Sequence, residues 1–218
     1  VLPADGYLKG IEELCNENDI VLILDEVMTG FRMALGGAQE FFDIDADLAC
    51  FAKALSGGMP LSAICGKEHV MEVAQPGKVA HMGTYNITPL AAAASLATLD
   101  TLSSNNGAVY HHLARIGDMA RSALETAAER TQTDALVQGI AGGGFQMYFT
   151  KARKITNYRE FISACDSALY PKFQRECLKR GVYIHPLQIE HLFVCTEHTE
   201  DDIAELESVA TEALKAMR

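Results

Sequence analysis

Several features are missing from this 218-residue sequence, and each absence narrows the class of protein. The six cysteines stand singly, with no C-x-x-C pair, and no secretory leader precedes them: Cys15, Cys50, Cys65, Cys165, Cys177 and Cys195. This pattern predicts reduced thiols in a cytoplasmic protein. The chain starts at Val1 without an initiator methionine, which predicts that it was cut from something longer.

The chain also has little that would suit a membrane, a nucleic acid or a metal ion. No apolar run approaches the roughly 20 residues that a membrane span needs. The net charge is -11 and no lysine and arginine cluster occurs, which argues against nucleic-acid binding. The seven histidines have irregular spacing, so no metal site is predicted.

Short apolar runs alternate with helix-like segments, and this alternation predicts an α/β layered fold with a mostly parallel sheet. We expect strands at residues 20–24, 48–51, 61–65, 135–140, 145–150, 182–184 and 192–195. We expect helices from about residue 5, then at 67–73, 89–102, 107–130 and 158–179, with a last helix from Thr199. The run at 20–24 is typical of a strand buried on both faces. A domain boundary is predicted at residues 103–107, which separates residues 1–104 from residues 105–218.

Two of these strands deliver chemically active side chains. Asp25 follows the apolar run 20–24, and Lys53 follows the strand at 48–51 and precedes Gly57 and Gly58. Ligands of a parallel sheet collect at the carboxyl ends of its strands. A lysine after apolar residues is expected to lose solvation, which frees its amine for imine chemistry. The alternatives are a solvated strand-end acid for Asp25 and an ordinary surface lysine for Lys53.

An acid and a lysine at two strand ends are the working pair of a pyridoxal-phosphate (PLP) site. The lysine can form a Schiff base with the aldehyde, and the acid can keep the pyridine nitrogen protonated. Val27 could pack against the flat ring. Gly83 and Thr84 stand before the helix at 89–102, where backbone amides and a hydroxyl can hold a phosphate. A plain N-capping loop is the alternative for that turn.

The sequence resembles the class III aminotransferases of PLP fold type I, and among them the glutamate-1-semialdehyde 2,1-aminomutases. The resemblance rests on residues 25–32 (DEVMTGFR), 35–39 (LGGAQ), 53–60 (KALSGGMP), 83–86 (GTYN) with 89–91 (PLA), and three C-terminal stretches: 181–184 (GVYI), 188–190 (QIE) and 198–200 (HTE). It implies the end of a large, mostly parallel PLP-binding domain, followed by a small C-terminal α+β domain.

The resemblance also implies a role for each matched position. Lys53 would form the Schiff base and shuttle the proton, Asp25 would pair with the pyridine nitrogen, and Val27 would pack on the ring. Thr84, after Gly83, would hold the cofactor phosphate of a neighbouring subunit, which implies a homodimer with shared active sites. Glu190 would line the substrate pocket.

The chain departs from the family pattern in two places. Ile87 and Thr88 replace the glycine and asparagine that usually precede the proline. The N-terminal half of the family has no counterpart here, and that half supplies a phosphate loop, the aromatic residue stacked on the ring and the substrate-carboxylate arginine. The chain therefore resembles a C-terminal half.

Three functions remain open at this point. An aminomutase would convert glutamate-1-semialdehyde to 5-aminolevulinate in tetrapyrrole synthesis. A transaminase would move amino groups between an ω- or β-amino acid and a 2-oxo acid. A non-catalytic remnant would keep the fold for dimerisation or ligand binding, although the intact pair of Asp25 and Lys53 argues against it.

Overall fold

A computed structural model describes residues 1–75 and 77–218 of the chain. They form two compact units. The first unit is Ala4–Tyr110, and the second comprises Val1–Pro3 and His111–Arg218.

The first unit is built on a three-stranded sheet in the order β1-β2-β3. Strand β1 (Ile23–Glu26) runs parallel to β2 (Leu48–Phe51), and β2 runs antiparallel to β3 (Ala63–Gly66). The helices are α1 (Tyr7–Glu17), α2 (Gly37–Phe42), α3 (Glu68–Met71) and α4 (Pro89–Ser103), with 3-10 helices at Lys53–Ser56, Glu72–Ala74 and Ser104–Gly107. Their order along the chain confirms the predicted alternation of strands and helices.

The first predicted strand differs from the observed one in position and burial. Strand β1 begins at Ile23 rather than at residue 20, and it includes Asp25 and Glu26. Ile20 and Ile23 are 57% and 58% exposed, so the prediction of a strand buried on both faces is wrong for these residues. The reason is that β1 lies at the edge of a sheet with only three described strands, whereas burial on both faces needs covering layers.

The second unit contains a two-stranded antiparallel hairpin covered by helices. Strands β4 (Ala135–Ile140) and β5 (Gly144–Phe149) pair in register from Ala135 opposite Phe149 to Ile140 opposite Gly144. The helices are α5 (Ala108–Arg130), most of which lies in this unit, α6 (Tyr158–Ala164), α7 (Leu169–Lys179) and α8 (Glu200–Ala216). Strand β5 is buried along its whole length.

The core of this unit is aromatic and aliphatic. Phe149 packs edge-on against Phe173 with ring centroids 5.8 Å apart, and Tyr170 lies within 6.5 Å of both rings. All three side chains are at most 2% exposed. Burial of about 150–250 Å² per aromatic side chain makes this cluster a main source of stability for the hairpin and α7.

The single helix predicted at 158–179 is two helices in the structure. The amide of Asp166 donates to the carbonyl oxygen of Phe149 at 2.9 Å, and the Asp166 carboxylate accepts from the amide of Ala168 at 2.9 Å. Both bonds compete with helical hydrogen bonding, so α6 ends at Ala164 and α7 starts at Leu169.

The strands predicted at 182–184 and 192–195 do not form. Only an isolated bridge joins Leu192 to Phe145, and residues 182–184 carry no assigned strand. Apolar side chains in these segments still reach the core, since Ile184 and Val194 are 6% and 5% exposed. The apolar pattern of these segments therefore indicates burial of the side chains, and it does not indicate that the segments pair as strands.

The predicted start of the last helix is confirmed in atomic detail. Thr199 caps α8, its hydroxyl accepting from the amide of Asp202 at 3.3 Å, while the Asp202 carboxylate accepts from the amide of Thr199 at 2.7 Å. This reciprocal capping box satisfies donors that a helix start leaves unpaired. All six cysteines are free thiols. None of the helices in the described part of the chain is long and apolar enough to cross a bilayer.

Candidate active site

The parallel pairing of β1 and β2 brings the two predicted site residues to one edge of the sheet. Asp25 lies in β1 opposite Cys50 of β2, and β2 ends at Phe51. After Ala52 the chain reaches Lys53, the first residue of a 3-10 helix. Asp25 is one residue before the end of β1, and Lys53 is two residues after the end of β2. Parallel strands end on the same side, so both residues lie at neighbouring carboxyl ends, where ligands of such sheets bind.

The Asp25 carboxylate is exposed, and one of its two oxygens accepts a hydrogen bond. Its Oδ1 accepts a hydrogen bond from the amide of Val27 at 2.9 Å, which shapes the turn after β1. Its Oδ2 has no partner among residues 1–75 and 77–218. Val27 itself is half-buried beside this carboxylate. One carboxylate oxygen is therefore available to a ligand.

Lys53 combines a strained backbone with an amine that forms no ion pair in the described part of the chain. Its φ is +44°, in the left-handed region that residues with a Cβ seldom adopt. Strain of this kind, of order 1–3 kcal/mol, tends to cluster at functional sites. Its Nζ contacts Sδ of Met28, a residue of the turn that follows Asp25. No carboxylate in the described part of the chain pairs with this amine.

The desolvation predicted for Lys53 is not observed, because its side chain is exposed. The residues after it are the buried ones, since Leu55 is 7% exposed and Ser56 is fully buried. Ser95 of α4 donates its hydroxyl hydrogen to the carbonyl oxygen of Leu55 at 2.9 Å. The turn is thus attached to α4 by this hydrogen bond, while the side chain of Lys53 is exposed.

The predicted phosphate turn lies in the same unit, before α4. The amide of Asn86 donates to the carbonyl oxygen of Gly83 at 3.1 Å, and Gly83 and Thr84 are both exposed. Thr88, not Thr84, caps α4, its hydroxyl accepting from the amide of Ala91 at 3.4 Å. The Thr84 hydroxyl therefore has no capping role that would occupy it.

An ion pair stabilises the opposite end of the two parallel strands. Asp47, just before β2, accepts a hydrogen bond from the amide of Leu22 at 2.8 Å and pairs with Lys67 at 3.0 Å. The bond from Leu22 and then the contact with Lys67 hold the pKa of Asp47 below its usual value. The bonds to Asp47 and then Asp45 raise the pKa of Lys67. These contacts tie the starts of β1 and β2 together and so fix the register that aligns Asp25 with Cys50.

Comparison with known protein families shows the family of this chain. Residues 1–208 match the family described as Aminotransferase class-III. The chain belongs to this family. In this class III chain, the acid motif with Asp25 and the lysine motif with Lys53 lie at the ends of two adjacent strands.

Curated relatives and solved structures agree with this class III assignment. The chain is 38% identical to a glutamate-1-semialdehyde 2,1-aminomutase of Alkaliphilus oremlandii, over 100% of this chain and 50% of the relative. A solved transaminase with PLP bound is 25% identical with a TM-score of 0.83, over 99% of this chain and 49% of its own. An omega-transaminase from Sphaerobacter thermophilus has a TM-score of 0.85 at 24% identity, over 100% of this chain and 49% of its own. The fold is therefore that of these enzymes, and the chain spans about half their length.

Glu190 lies in the second unit and is half-buried. Its amide donates to the carbonyl oxygen of Leu187 at 3.1 Å, which closes a turn. The segment that follows is attached to β5 through the bridge between Leu192 and Phe145. Glu190 thus stands on a short segment that is anchored to the core of its unit.

Sequence reasoning missed Glu26, which organises the segment after Asp25 in this class III chain. Glu26 is fully buried. Its carboxylate accepts from the amides of Ala38 and Gln39, both at 2.9 Å, and from the hydroxyl of Thr29. A Cβ on Gly37 would come within 2.7 Å of this carboxylate, which explains a glycine there. The sequence signal was the position of Glu26 at the end of an apolar strand, between Asp25 and Val27. A carboxylate that is buried at such a place needs hydrogen-bond donors around it.

Proposed function

We propose that the whole protein carrying this chain is a PLP-dependent aminomutase that converts glutamate-1-semialdehyde to 5-aminolevulinate, a step of tetrapyrrole synthesis. The observation that carries the proposal is the placement of Asp25 near the end of β1 and of Lys53 just after β2, two neighbouring parallel strands of a class III chain. The 38% identity to an aminomutase over the full chain supports the substrate. The proposal extends to the whole protein, because this chain spans about half of such relatives.

The residues present fit the cofactor. Asp25 offers a carboxylate oxygen without a partner among the described residues, Lys53 offers an amine without a carboxylate partner there, and Thr84 offers an exposed hydroxyl before a helix. These are the groups that a cationic ring nitrogen, an aldehyde and a phosphate each require. When bound, PLP supplies an electron sink for the carbon that bears the amino group.

Each residue of the chain would have a separate task. Lys53 would hold the cofactor covalently and, once released, would move a proton between a substrate carbon and a cofactor carbon as a general acid and base. Asp25 would keep the ring nitrogen protonated, while Val27 would pack against the ring. Glu190 would line the substrate pocket. Gly83 would allow the tight turn that presents the Thr84 hydroxyl to a phosphate.

We further propose that Thr84 acts across a homodimer interface. Residues around it expose large apolar side chains, since Met82, Tyr85 and Ile87 are 86%, 83% and 73% exposed. A short segment that exposes several large apolar side chains is typical of an interaction surface. Light scattering should report a dimer, and Thr84→Ala should weaken PLP retention in it. A monomer with full activity would contradict this part of the proposal.

Residues 1–104 would be the C-terminal part of the large PLP-binding domain, and residues 105–218 the small domain. The six free thiols support a cytoplasmic location, because reducing compartments keep cysteines in this state.

Borohydride reduction tests the chemistry directly. The whole protein is expected to absorb visible light, and reduction followed by peptide mass spectrometry is expected to find the cofactor fixed to Lys53. Lys53→Met should abolish fixation, whereas Lys67→Met, at a lysine engaged with Asp45 and Asp47, should not. Fixation elsewhere, or none at all, would refute the enzyme hypothesis.

A substrate assay separates the aminomutase from a transaminase. An aminomutase should form 5-aminolevulinate from glutamate-1-semialdehyde with no added 2-oxo acid. A requirement for a 2-oxo acid would favour the ω- or β-amino acid transaminase, an alternative that the 25% identical transaminase with a TM-score of 0.83 supports. Failure of both assays would leave the non-catalytic remnant.

A further inference from the structure

A glutamine occupies an unusual place in the centre of β5. All six residues of this strand are buried, and Gln146 is only 1% exposed. Its neighbours Phe145 and Met147 are apolar, and an apolar side chain at 146 would avoid the free-energy penalty of burying an amide. A buried amide of this kind must be hydrogen-bonded, and its partners indicate what it does.

Gln146 is hydrogen-bonded to the segment that carries Glu190 and to its own strand. Nε2 of Gln146 donates to the backbone carbonyl oxygen of Glu190, and Oε1 accepts from the amide of Met147 at 2.7 Å. A carbonyl oxygen can only accept, so the orientation of the amide follows from its partner. The side chain of Gln146 therefore reaches from the strand to the backbone of Glu190.

Two further contacts attach the same segment to β5. Phe145 and Leu192 exchange backbone hydrogen bonds of 3.1 and 2.7 Å. Gln188, which is 6% exposed, donates from Nε2 to the carbonyl oxygen of Met147 at 3.4 Å. Residues 188–192 are thus attached to β5 at three points. The central one is the bond from Gln146 to Glu190, the residue that is proposed to line the substrate pocket.

We propose that Gln146 is a positioning residue that sets the orientation of Glu190 toward the substrate. The inference rests on the proposed function, since it assumes that Glu190 lines the substrate pocket. Gln146 fixes the backbone of Glu190, so the carboxylate starts from one backbone orientation and not from several. Such restriction lowers the entropy that substrate binding would otherwise have to remove.

Gln138 provides a matched control in the same hairpin. Its amide also joins a strand to a backbone segment, donating to the carbonyl oxygen of Ile155 at 2.8 Å and accepting from its amide at 3.0 Å. No proposed site residue lies on the segment around Ile155. Gln138→Met therefore removes the same kind of bond without touching the segment of Glu190.

The experiment compares Gln146→Met, Gln138→Met, Glu190→Gln and the double variant of Gln146 and Glu190, all in the whole protein. Gln146→Met retains the side-chain length and removes the donor. We expect it to raise KM for glutamate-1-semialdehyde about tenfold, the effect of losing roughly one hydrogen bond to a charged or well-ordered partner, with kcat nearly unchanged. Gln138→Met should leave KM unchanged.

Hydrogen exchange supplies a readout that does not depend on activity. In Gln146→Met the backbone amides of residues 190–192 should exchange faster than in the unmodified protein. In Gln138→Met exchange there should stay the same, and the change should appear around Ile155 instead. Unchanged exchange at residues 190–192 in Gln146→Met would overturn the inference.

The double variant distinguishes positioning from general support. If Gln146 acts through Glu190, adding Gln146→Met to Glu190→Gln should raise KM little further. An equal tenfold rise in both backgrounds would overturn the inference while leaving the proposed function intact. An unchanged KM in Glu190→Gln would instead refute the proposed role of Glu190, and the inference would fail with it even where exchange confirms a held segment.

Discussion

The buried carboxylate of Glu26 accepts a hydrogen bond from the amide of Ala38 at 2.9 Å, across a segment that begins directly after the proposed cofactor acid. The same carboxylate accepts from Gln39 at 2.9 Å. Asp25 and Val27 flank Glu26 in the chain, so their positions depend on this interior anchor. The geometry of the proposed site at the exposed sheet edge therefore depends on a side chain that is itself fully buried.

The first prediction concerns this anchor. Glu26→Gln should lower the free energy of unfolding by about 3 kcal/mol, because hydrogen bonds to a charged group are lost and a buried amide donor is left facing other donors. Urea unfolding followed by circular dichroism measures the change. Glu40→Gln is the control, since Glu40 is exposed and accepts a single bond from Gly36 at 2.6 Å. Equal losses in the two variants would contradict the anchoring role.

The second prediction concerns the ring-nitrogen acid. Asp25→Asn should retain much of the bound cofactor, because Lys53 remains, yet lower kcat by about 10²-fold or more, since a neutral amide cannot keep the ring nitrogen protonated. Visible absorbance measures retention, and the aminomutase assay measures turnover. Asp19→Asn, at an exposed aspartate with φ of +55° that asparagine also tolerates, should change neither. Full activity of Asp25→Asn would remove Asp25 from its proposed role.

The third prediction concerns backbone strain before α4. Ile87 has φ of +51°, where a β-branched residue is an outlier, and its side chain is 73% exposed. Ile87→Gly should raise the free energy of unfolding by about 0.5–1 kcal/mol, since relief of left-handed strain of about 1–2 kcal/mol exceeds the entropy penalty of glycine. Ile20→Gly is the counterpart, because Ile20 is also exposed and has no positive φ. It should destabilise the protein, and thermal unfolding of both variants tests the opposite signs.

The fourth prediction concerns pH. The pKa of Asp47 is lowered in the folded chain, chiefly by the bond from the amide of Leu22 and then by Lys67. Its contribution to stability is therefore complete above its ordinary value of 3.8 and is lost as the pH falls through the lower folded value. Asp47→Asn should lower the urea midpoint at pH 7, and the difference from the unmodified protein should shrink below pH 3.8.

Asp45→Asn is the control for this titration. Asp45 pairs with the same lysine at 3.0 Å, but its carboxylate accepts no backbone amide in the described part of the chain. Its loss should change the urea midpoint less than the loss of Asp47 at every pH. A difference between Asp47→Asn and the unmodified protein that stays constant from pH 7 to pH 3 would contradict the assignment.

Local patterns predicted most elements of this protein well. Strand β2 occupies the predicted residues 48–51, and α4 begins at the predicted Pro89. The last helix starts at the predicted Thr199, which caps it. These features depend on residues within a few positions of each other, so the information that determines them is present in a short stretch of sequence.

Elements that depend on distant partners were predicted less well. The helix expected at 158–179 breaks because the amide of Asp166 bonds to the carbonyl oxygen of Phe149, seventeen residues earlier in the chain. The strands expected at 182–184 and 192–195 fail because only Leu192 finds a ladder partner. In each case the secondary structure depends on which backbone groups of distant segments meet in space. The periodicity of apolar residues in the sequence carries no information about such meetings.

The sequence by itself determined the class III motif pair, because Asp25 and Lys53 each follow an apolar run whose strand character is local. Tertiary structure alone decided that the two runs pair in parallel, with Asp25 opposite Cys50, and that Lys53 is exposed with a strained φ. It alone decided that Glu26 anchors the segment between them and that Gln146 reaches Glu190. The physical reason is that a buried polar group is stable only when its partners are in place, and those partners come from chain segments whose meeting depends on the fold as a whole.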